Sequence, residues 1–337
     1  TENLRGQPIH LYIEDALQET TVTSSGLSAE YGRFGGGVVN AVTKSGGNLF
    51  SGSYRLSLAN DDWRSRTPFA NDTMVDKTVP THEYTFGGPL EADRLWFFNA
   101  GRFQTQESSL TTAAATAIPY TRTNDEKRYE GKLTYSPASG HTIAGSYLRA
   151  DQVLDNFTQF NVLDLASLGR QEQRSKLWTL HYTGVFGSSL FGEMYYSRRL
   201  GALTAGGART TDLIAGTPVI DGRNGQRFWS PTFCGTCGAD NRDNDDVALK
   251  ATYFRSGRGG SHTVVTGYDR YADHRQANNF QSGSNFRVQS AASLVQGSTV
   301  YPVLAGPTFI ITTPILLASQ GTDLVTHSVF VNDDWRF

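Results

Sequence analysis

The chain has 337 residues, 30 basic and 32 acidic side chains, a formal charge of -2 and a hydrophobic fraction of 38%. No run approaches the ~20 consecutive apolar residues of a membrane helix, which excludes a helical membrane protein, and the near-neutral charge leaves no field to hold nucleic acid. The 35 Gly, 19 Phe and 15 Tyr, against 2 Met, favour strands joined by turns.

From the N-terminus, Glu19, Thr20, Thr21, Val22 and Thr23 read as a short strand. Residues 29–48 follow as Ala-Glu-Tyr-Gly-Arg-Phe-Gly-Gly-Gly-Val-Val-Asn-Ala-Val-Thr-Lys-Ser-Gly-Gly-Asn. Three adjacent glycines permit backbone conformations closed to other residues. A phosphate-binding loop is not indicated, because no Gly-Lys-Ser/Thr closes the cluster and no long helix follows.

Beyond residue 49 the dominant signal is alternation with period two. Phe50, Gly52, Tyr54, Leu56 and Leu58 oppose Ser51, Ser53, Arg55 and Ser57. Tyr129, Gly131, Leu133 and Tyr135 oppose Arg128, Glu130, Lys132 and Thr134; Trp178, Leu180, Tyr182 and Phe186 oppose Thr179, His181 and Thr183. Val247, Leu249, Ala251 and Tyr253 repeat the pattern against Lys250 and Thr252. Less regular strands are expected near 94–107, 142–151, 190–204, 263–273 and 323–337, giving about ten in all.

A soluble sandwich alternates in the same way, so the connections must decide. Short ones fall near 87–93, 137–141, 187–189 and 257–261. Long ones, expected to be structureless, fall at 62–80, 108–126, 155–171, 206–245 and 278–321. A compact soluble domain rarely carries one such loop, whereas an outer-membrane barrel alternates short periplasmic turns with long outer loops, around strands of ~9 to 11 residues. The fold class is therefore mainly β, an antiparallel transmembrane barrel whose polar face, with Arg55, Arg128, Glu130, Lys132 and Lys250, lines the lumen.

Residues 19–53 carry a more specific resemblance. The Ala-Glu-Tyr-Gly-Arg element with Tyr31, Gly32 and Arg33, the cluster Gly35, Gly36 and Gly37, and the strand with Asn40, Thr43 and Lys44 are similar to the end of the plug domain of TonB-dependent receptors, in particular their Oar-like branch. The resemblance implies that residues 1–48 are the C-terminal part of a plug. Residues 49–337 would then be the N-terminal portion of a barrel of 22 strands. It further implies a receptor of the bacterial outer membrane, in contact with its lipid, that takes up an unknown substrate bound by outer loops and plug. A TonB complex would supply the energy through a segment ahead of Thr1. Both ends are expected to be cut, and Phe50 to Leu58 is not expected to pair with the last strand. A surface structural or adhesion protein on the same barrel is the alternative; a soluble all-β binding module is the third.

No enzymatic activity, cofactor, metal or nucleic acid is indicated, and the substrate-binding residues stay unknown. Cys234 and Cys237 lie in a long connection with neither a βαβ unit nor two further ligands, so they read as a loop disulfide. The acidic run from Asp240 to Asp246 lacks the Gly and closing Glu of a calcium loop and reads as a solvated loop entering a strand. His181, and His274 beside Asp273, read as lumen or rim residues. The string Asn-Asp-Asp-Trp-Arg, at 60–64 and 332–336, carries no chemistry.

Overall fold

The computed structural model describes residues 11–24, 38–65, 74, 76–204, 207–238, 240–257, 259–276, 280–312 and 321–337. A turn of 3-10 helix, Glu14–Ala16, leads into an antiparallel hairpin of β1 (Leu17–Thr23) and β2 (Val38–Thr43). Then come β3 (Ser51–Ala59), β4 (Val79–Glu91), β5 (Leu95–Thr111), β6 (Pro119–Ala138), β7 (His141–Phe157), β8 (Gly169–Phe186) and β9 (Leu190–Thr204). Short β10 (Val219–Asp221) and β11 (Arg227–Phe228) precede β12 (Asp240–Gly257) and β13 (Gly260–Gln276). Four more short strands, β14 (Phe286–Ser290), β15 (Ala292–Gln296), β16 (Thr299–Val303) and β17 (Phe309–Thr312), lead to β18 (Gly321–Arg336).

Ten of these strands form one antiparallel sheet, the wall, in the order β3-β4-β5-β6-β7-β8-β9-β12-β13-β18. The wall is open, since β3 and β18 are not paired with each other among the described residues.

Residues opposite one another across an antiparallel pair share a face, so the register sorts the side chains. Arg55 faces Glu83, Glu83 faces Arg102 and Arg102 faces Arg128, which makes one row of the inner face polar. On the other face Tyr54, Leu56, Leu133, Trp178, Leu180, Leu249 and Tyr253 are 36% to 67% exposed, whereas Glu83 and Glu130 are 1% and 2% exposed. This is the inverse of a soluble sandwich. A continuous apolar band of this extent costs about 25 cal/mol per Å² in water and nothing in hydrocarbon, while the paired ladders supply partners for the backbone along the strands.

The strands run from 9 residues in β3, within the ~9 to 11 that cross a bilayer, to 20 in β6, well beyond it. The excess extends the wall on the side of the long connections and shortens one of them, since only 112–118 separates β5 from β6 instead of the expected 108–126. Nor are the longest connections structureless. Strands β11, β10, β14 and β17 form a second sheet in which β10 and β14 run parallel, and β15 pairs with β16. Ala113, Leu163, Val219, Phe228 and Val300, from four different connections, share a buried cluster with Val288 and Val295 packed against it. These connections thus form a cap with its own core.

The acidic run from Asp240 to Asp246 is not a loop but the start of β12, paired with β9 and β13. The two Asn-Asp-Asp-Trp-Arg strings lie at opposite ends of the wall. Asn60 accepts from the Asp62 amide to cap a 3-10 turn beyond β3, whereas Asn332 to Arg336 finish β18 beside the β12–β13 turn.

Between hairpin and wall the chain passes so close to the β4–β5 turn that a Cβ on Gly46 would lie 2.2 Å from the Phe97 carbonyl oxygen and 2.9 Å from that of Gly88. A Cβ on Gly47 would meet nothing within 4 Å. Gly46→Ala should destabilise the fold by about 1–3 kcal/mol through overpacking against backbone, and Gly47→Ala should be tolerated. Comparing the yield of the compact form on unheated and heated denaturing gels checks this, and equal yields would contradict it.

Candidate functional site: the seam between hairpin and wall

Alternation along β4 sends Thr81, Glu83 and Thr85 to the inner face, and the 3-10 turn brings Glu14 and Asp15 against them. Glu83 is held from both sides, by Arg102 Nη1 at 3.0 Å and by the Arg55 guanidinium. Arg55 Nη2 also lies 3.1 Å from Asp15 Oδ1 and 3.5 Å from Glu14 Oε2, so one cation is shared between a buried wall carboxylate and two carboxylates of the turn. A charge as deeply buried as Glu83 is tolerable only when paired and hydrogen-bonded, and here two guanidiniums do both.

Two further contacts across the seam are cations on carbonyls. Arg128 donates to Tyr12 O at 2.6 Å and Lys132 Nζ to Thr43 O at 2.9 Å, while on the hairpin side itself Lys44 Nζ donates to Asp15 O at 2.8 Å. Ile13 and Ala16, with Phe98 and Ala100 of β5, add a small apolar contact. Below it Asn48 accepts from the Asp93 amide at 2.9 Å and from Trp96 Nε1 at 2.7 Å, while its own Nδ2 donates to Asp93 Oδ1 at 2.5 Å. Asp93 occupies the left-handed region, φ 63°. The hairpin is therefore clasped at its exit and, apart from that apolar contact, held by polar contacts that water could replace.

Of the lumen residues expected from sequence, Arg55, Arg128 and Lys132 meet the hairpin and Glu130 lies buried beside them. Lys250 pairs instead with Glu193 of β9 at 2.7 Å. His181 sits on the inner face, its ring 6.3 Å from Tyr195. His274 and Asp273, neighbours on β13, point to opposite faces, and His274 bonds Asp323 across to β18. Asn40 and Thr43 lie in β2 and Lys44 follows it. Tyr31, Gly32, Arg33, Gly35, Gly36 and Gly37 lie outside the described residues. Cys234 and Cys237 are joined by a disulfide in the cap, where Cys234 N donates to Phe280 O at 3.1 Å. Glu83, Arg102, Asp15 and Tyr12 were missed from sequence, although His82, Tyr84 and Phe86 alternating with Thr81, Glu83 and Thr85 carry the same period-two signal.

In the cap, Asp221 is fully buried. Burial alone would raise its carboxyl, but hydrogen bonds from the side chain of Arg223 at 3.0 Å, from the Ser293 hydroxyl and amide at 2.5 and 2.8 Å and from the Arg223 amide at 2.9 Å outweigh it and hold the carboxyl far below the usual range. The carboxyl titrates lower in the folded than in the unfolded state, so its stabilising effect is complete above about pH 4 and fades as pH falls below that. Limited proteolysis of the cap should accordingly be flat from neutral pH down to about pH 5 and accelerate below pH 4. Asp221→Asn should be cleaved faster at neutral pH and lose that acid-dependent rise; a variant as resistant as wild type would contradict the assignment.

Removing Glu83 takes the carboxylate from Arg102 on the inner face and leaves Arg55 with only Asp15 and Glu14 among the described residues. Glu83→Leu should cost about 2 kcal/mol, less than the ~3–5 kcal/mol of a fully buried pair because Arg55 is 44% exposed. Arg55→Gln should instead leave the wall stable and loosen the hairpin. Urea unfolding and ion conductance in planar bilayers separate the two effects, and equal conductance of Arg55→Gln and wild type would contradict the second.

No family model matches the chain. Among curated proteins it is 30% identical over 165 residues to the TonB-dependent transporter Oar of Myxococcus xanthus, a match covering 38% of this chain and 15% of that protein. Its fold is similar to the outer membrane transporter YddB of Escherichia coli, with a TM-score of 0.58 and 14% identity over 95% of this chain and 42% of that one. It is similar also to the ferric enterobactin receptor PfeA of Pseudomonas aeruginosa in complex with enterobactin, with a TM-score of 0.57 and 12% identity over 96% and 43% of the two chains. The chain thus spans less than half the length of these solved receptors and about 15% of the curated relative. The sequence match and the fold together support a partial TonB-dependent receptor, and its relatives are transporters and receptors of the outer membrane, not enzymes.

Proposed function

We propose that this chain, as part of a TonB-dependent outer-membrane receptor, takes part in energised import of a substrate bound by its outer cap and plug. Residues 1–48 are read as the C-terminal part of the plug and 49–337 as the N-terminal portion of the barrel. The observation that carries this reading is the seam. A hairpin lies against the inner face of a lipid-facing wall, and apart from one small apolar contact it is held by ion pairs and cation–carbonyl hydrogen bonds that incoming water can exchange. A part meant to stay in place would be expected to share a larger apolar core with the wall.

The work of displacement would come from a TonB complex acting through a segment ahead of Thr1, and the cap would supply the outer binding surface. A surface adhesin built on the same wall would bind outside ligands equally well but would not need an exchangeable seam.

Cells carrying the complete receptor, supplied with labelled ferric chelates, peptides and glycans, should accumulate one class, and deletion of the TonB system should abolish accumulation while leaving surface binding intact. Binding without accumulation in either strain would favour the adhesin and overturn the transport reading.

A further inference from the structure

The small sheet of the cap has two faces. Val219, Phe228 and Val288 turn one of them toward the buried cluster, so their strand neighbours Ile220, Arg227, Arg287 and Gln289 belong to the other. The register sets these four together. Ile220 of β10 pairs with Arg227 of β11 on one side and with Gln289 of β14 on the other, and Arg287 stands two residues before Gln289. Ile311 of β17 lies opposite Arg287 and ends the row on an apolar side chain.

Both arginines are half-buried. Arg227 lies over the Phe160 ring, 3.3 Å from its centroid, and donates from Nη1 to the Thr232 hydroxyl. Burial, and after it the charge of Arg287, hold the Arg227 guanidinium below its ordinary range. Neither arginine makes an ion pair among the described residues, and the Nε of each is buried without a hydrogen-bond partner. The carboxylates on neighbouring segments are engaged elsewhere. Asp164 accepts from the Ser167 and Trp229 amides, and Asp221 is held by Arg223 and Ser293. Two adjacent cations with open donors are unfavourable as they stand, because burial strips each of hydration and like charges repel. An oxyanion between them relieves both costs.

We propose that this face of the cap sheet binds an oxyanion, carboxylate or phosphate, carried by a ligand of the receptor. Its oxygens would sit between the guanidiniums of Arg227 and Arg287 with the Gln289 amide beside them, and Ile220 and Ile311 would meet the apolar body of the ligand. Guanidinium forks match the planar or trigonal oxygens of such groups, and charge-assisted hydrogen bonds are the strong ones. The inference rests on the reading of the cap as the outer binding surface and gives the ligand of that surface a charge. It does not depend on energised import.

The test takes the complete receptor in phosphatidylcholine nanodiscs, in a buffer free of phosphate, and reads binding by saturation-transfer NMR. Three probes of similar shape are compared: benzoate, phenyl phosphate and neutral benzamide. The anions should bind, benzamide should not, and the tighter anion identifies the source of the oxyanion. Arg287→Gln should weaken anion binding roughly tenfold, and Arg287→Lys, which keeps the charge but loses the fork, by less. Arg336→Gln at the end of β18 should leave binding unchanged. Limited proteolysis of the cap without any anion gives a second readout. Removing one of two like charges should leave Arg287→Gln at least as resistant as wild type, whereas losing an ordinary structural contact would make it less so. Phenyl phosphate should slow cleavage of wild type but not of this variant. Equal binding of benzamide, undiminished anion binding by Arg287→Gln, or faster cleavage of that variant would each overturn the proposal. Anion binding in nanodiscs with no accumulation in cells would sink the import reading and leave this site standing.

Discussion

In hydrocarbon no water is available to satisfy a peptide group, so each backbone N–H and C=O of a spanning segment must find its partner within the protein. The long neighbour-to-neighbour ladders of the wall meet that demand from β4 to β13. Once the ladders are fixed, side chains have only two places to go, and the choice is made one residue at a time. Tyr54 and Arg55 are adjacent in sequence, yet one belongs to the lipid side and the other to an ion-pair network with the hairpin. The apolar band and the polar inner face are therefore two readings of one register, and a shift by a single residue would exchange them.

The inner face then sets how the hairpin can be held. A surface of Arg, Lys and Glu offers little apolar area, so Ile13 and Ala16 find only Phe98 and Ala100, and the rest of the seam is electrostatic. Strength and exchangeability come together here: Glu83 is fixed by two guanidiniums, but Arg55 keeps solvent access and has alternative carboxylates within reach. The cap follows a different rule. Standing clear of the bilayer, it buries Phe228, Leu163 and Val219 in the manner of a soluble domain.

These differences explain what could be read from the sequence. Period two is legible wherever one face meets lipid, which is why β3, β6, β8 and β12 stood out and why the short turns were placed close to where they lie. Beyond the band both faces meet water, the alternation fades, and β5 and β6 continued through residues that read as a loop. The cap was illegible because its core takes Ala113, Leu163, Val219, Phe228 and Val300 from four separate connections, none with a periodic signal of its own. At the seam, Arg55, Arg128 and Lys132 could be assigned to the inner face from parity alone, but their partners Asp15, Tyr12 and Thr43 depend on how the hairpin docks. Asp323, the partner of His274, was out of reach for the same reason, since it comes from a different strand of the wall.

Asn48 joins three groups of the β4–β5 turn through a single amide, immediately after Gly46 has threaded past the carbonyls of Phe97 and Gly88. A load drawn through β1 and β2 thus reaches a fixed anchor before it reaches the staves of the wall. The exit of the hairpin is thereby moored to the wall by a few atoms, whatever becomes of the exchangeable contacts further along it.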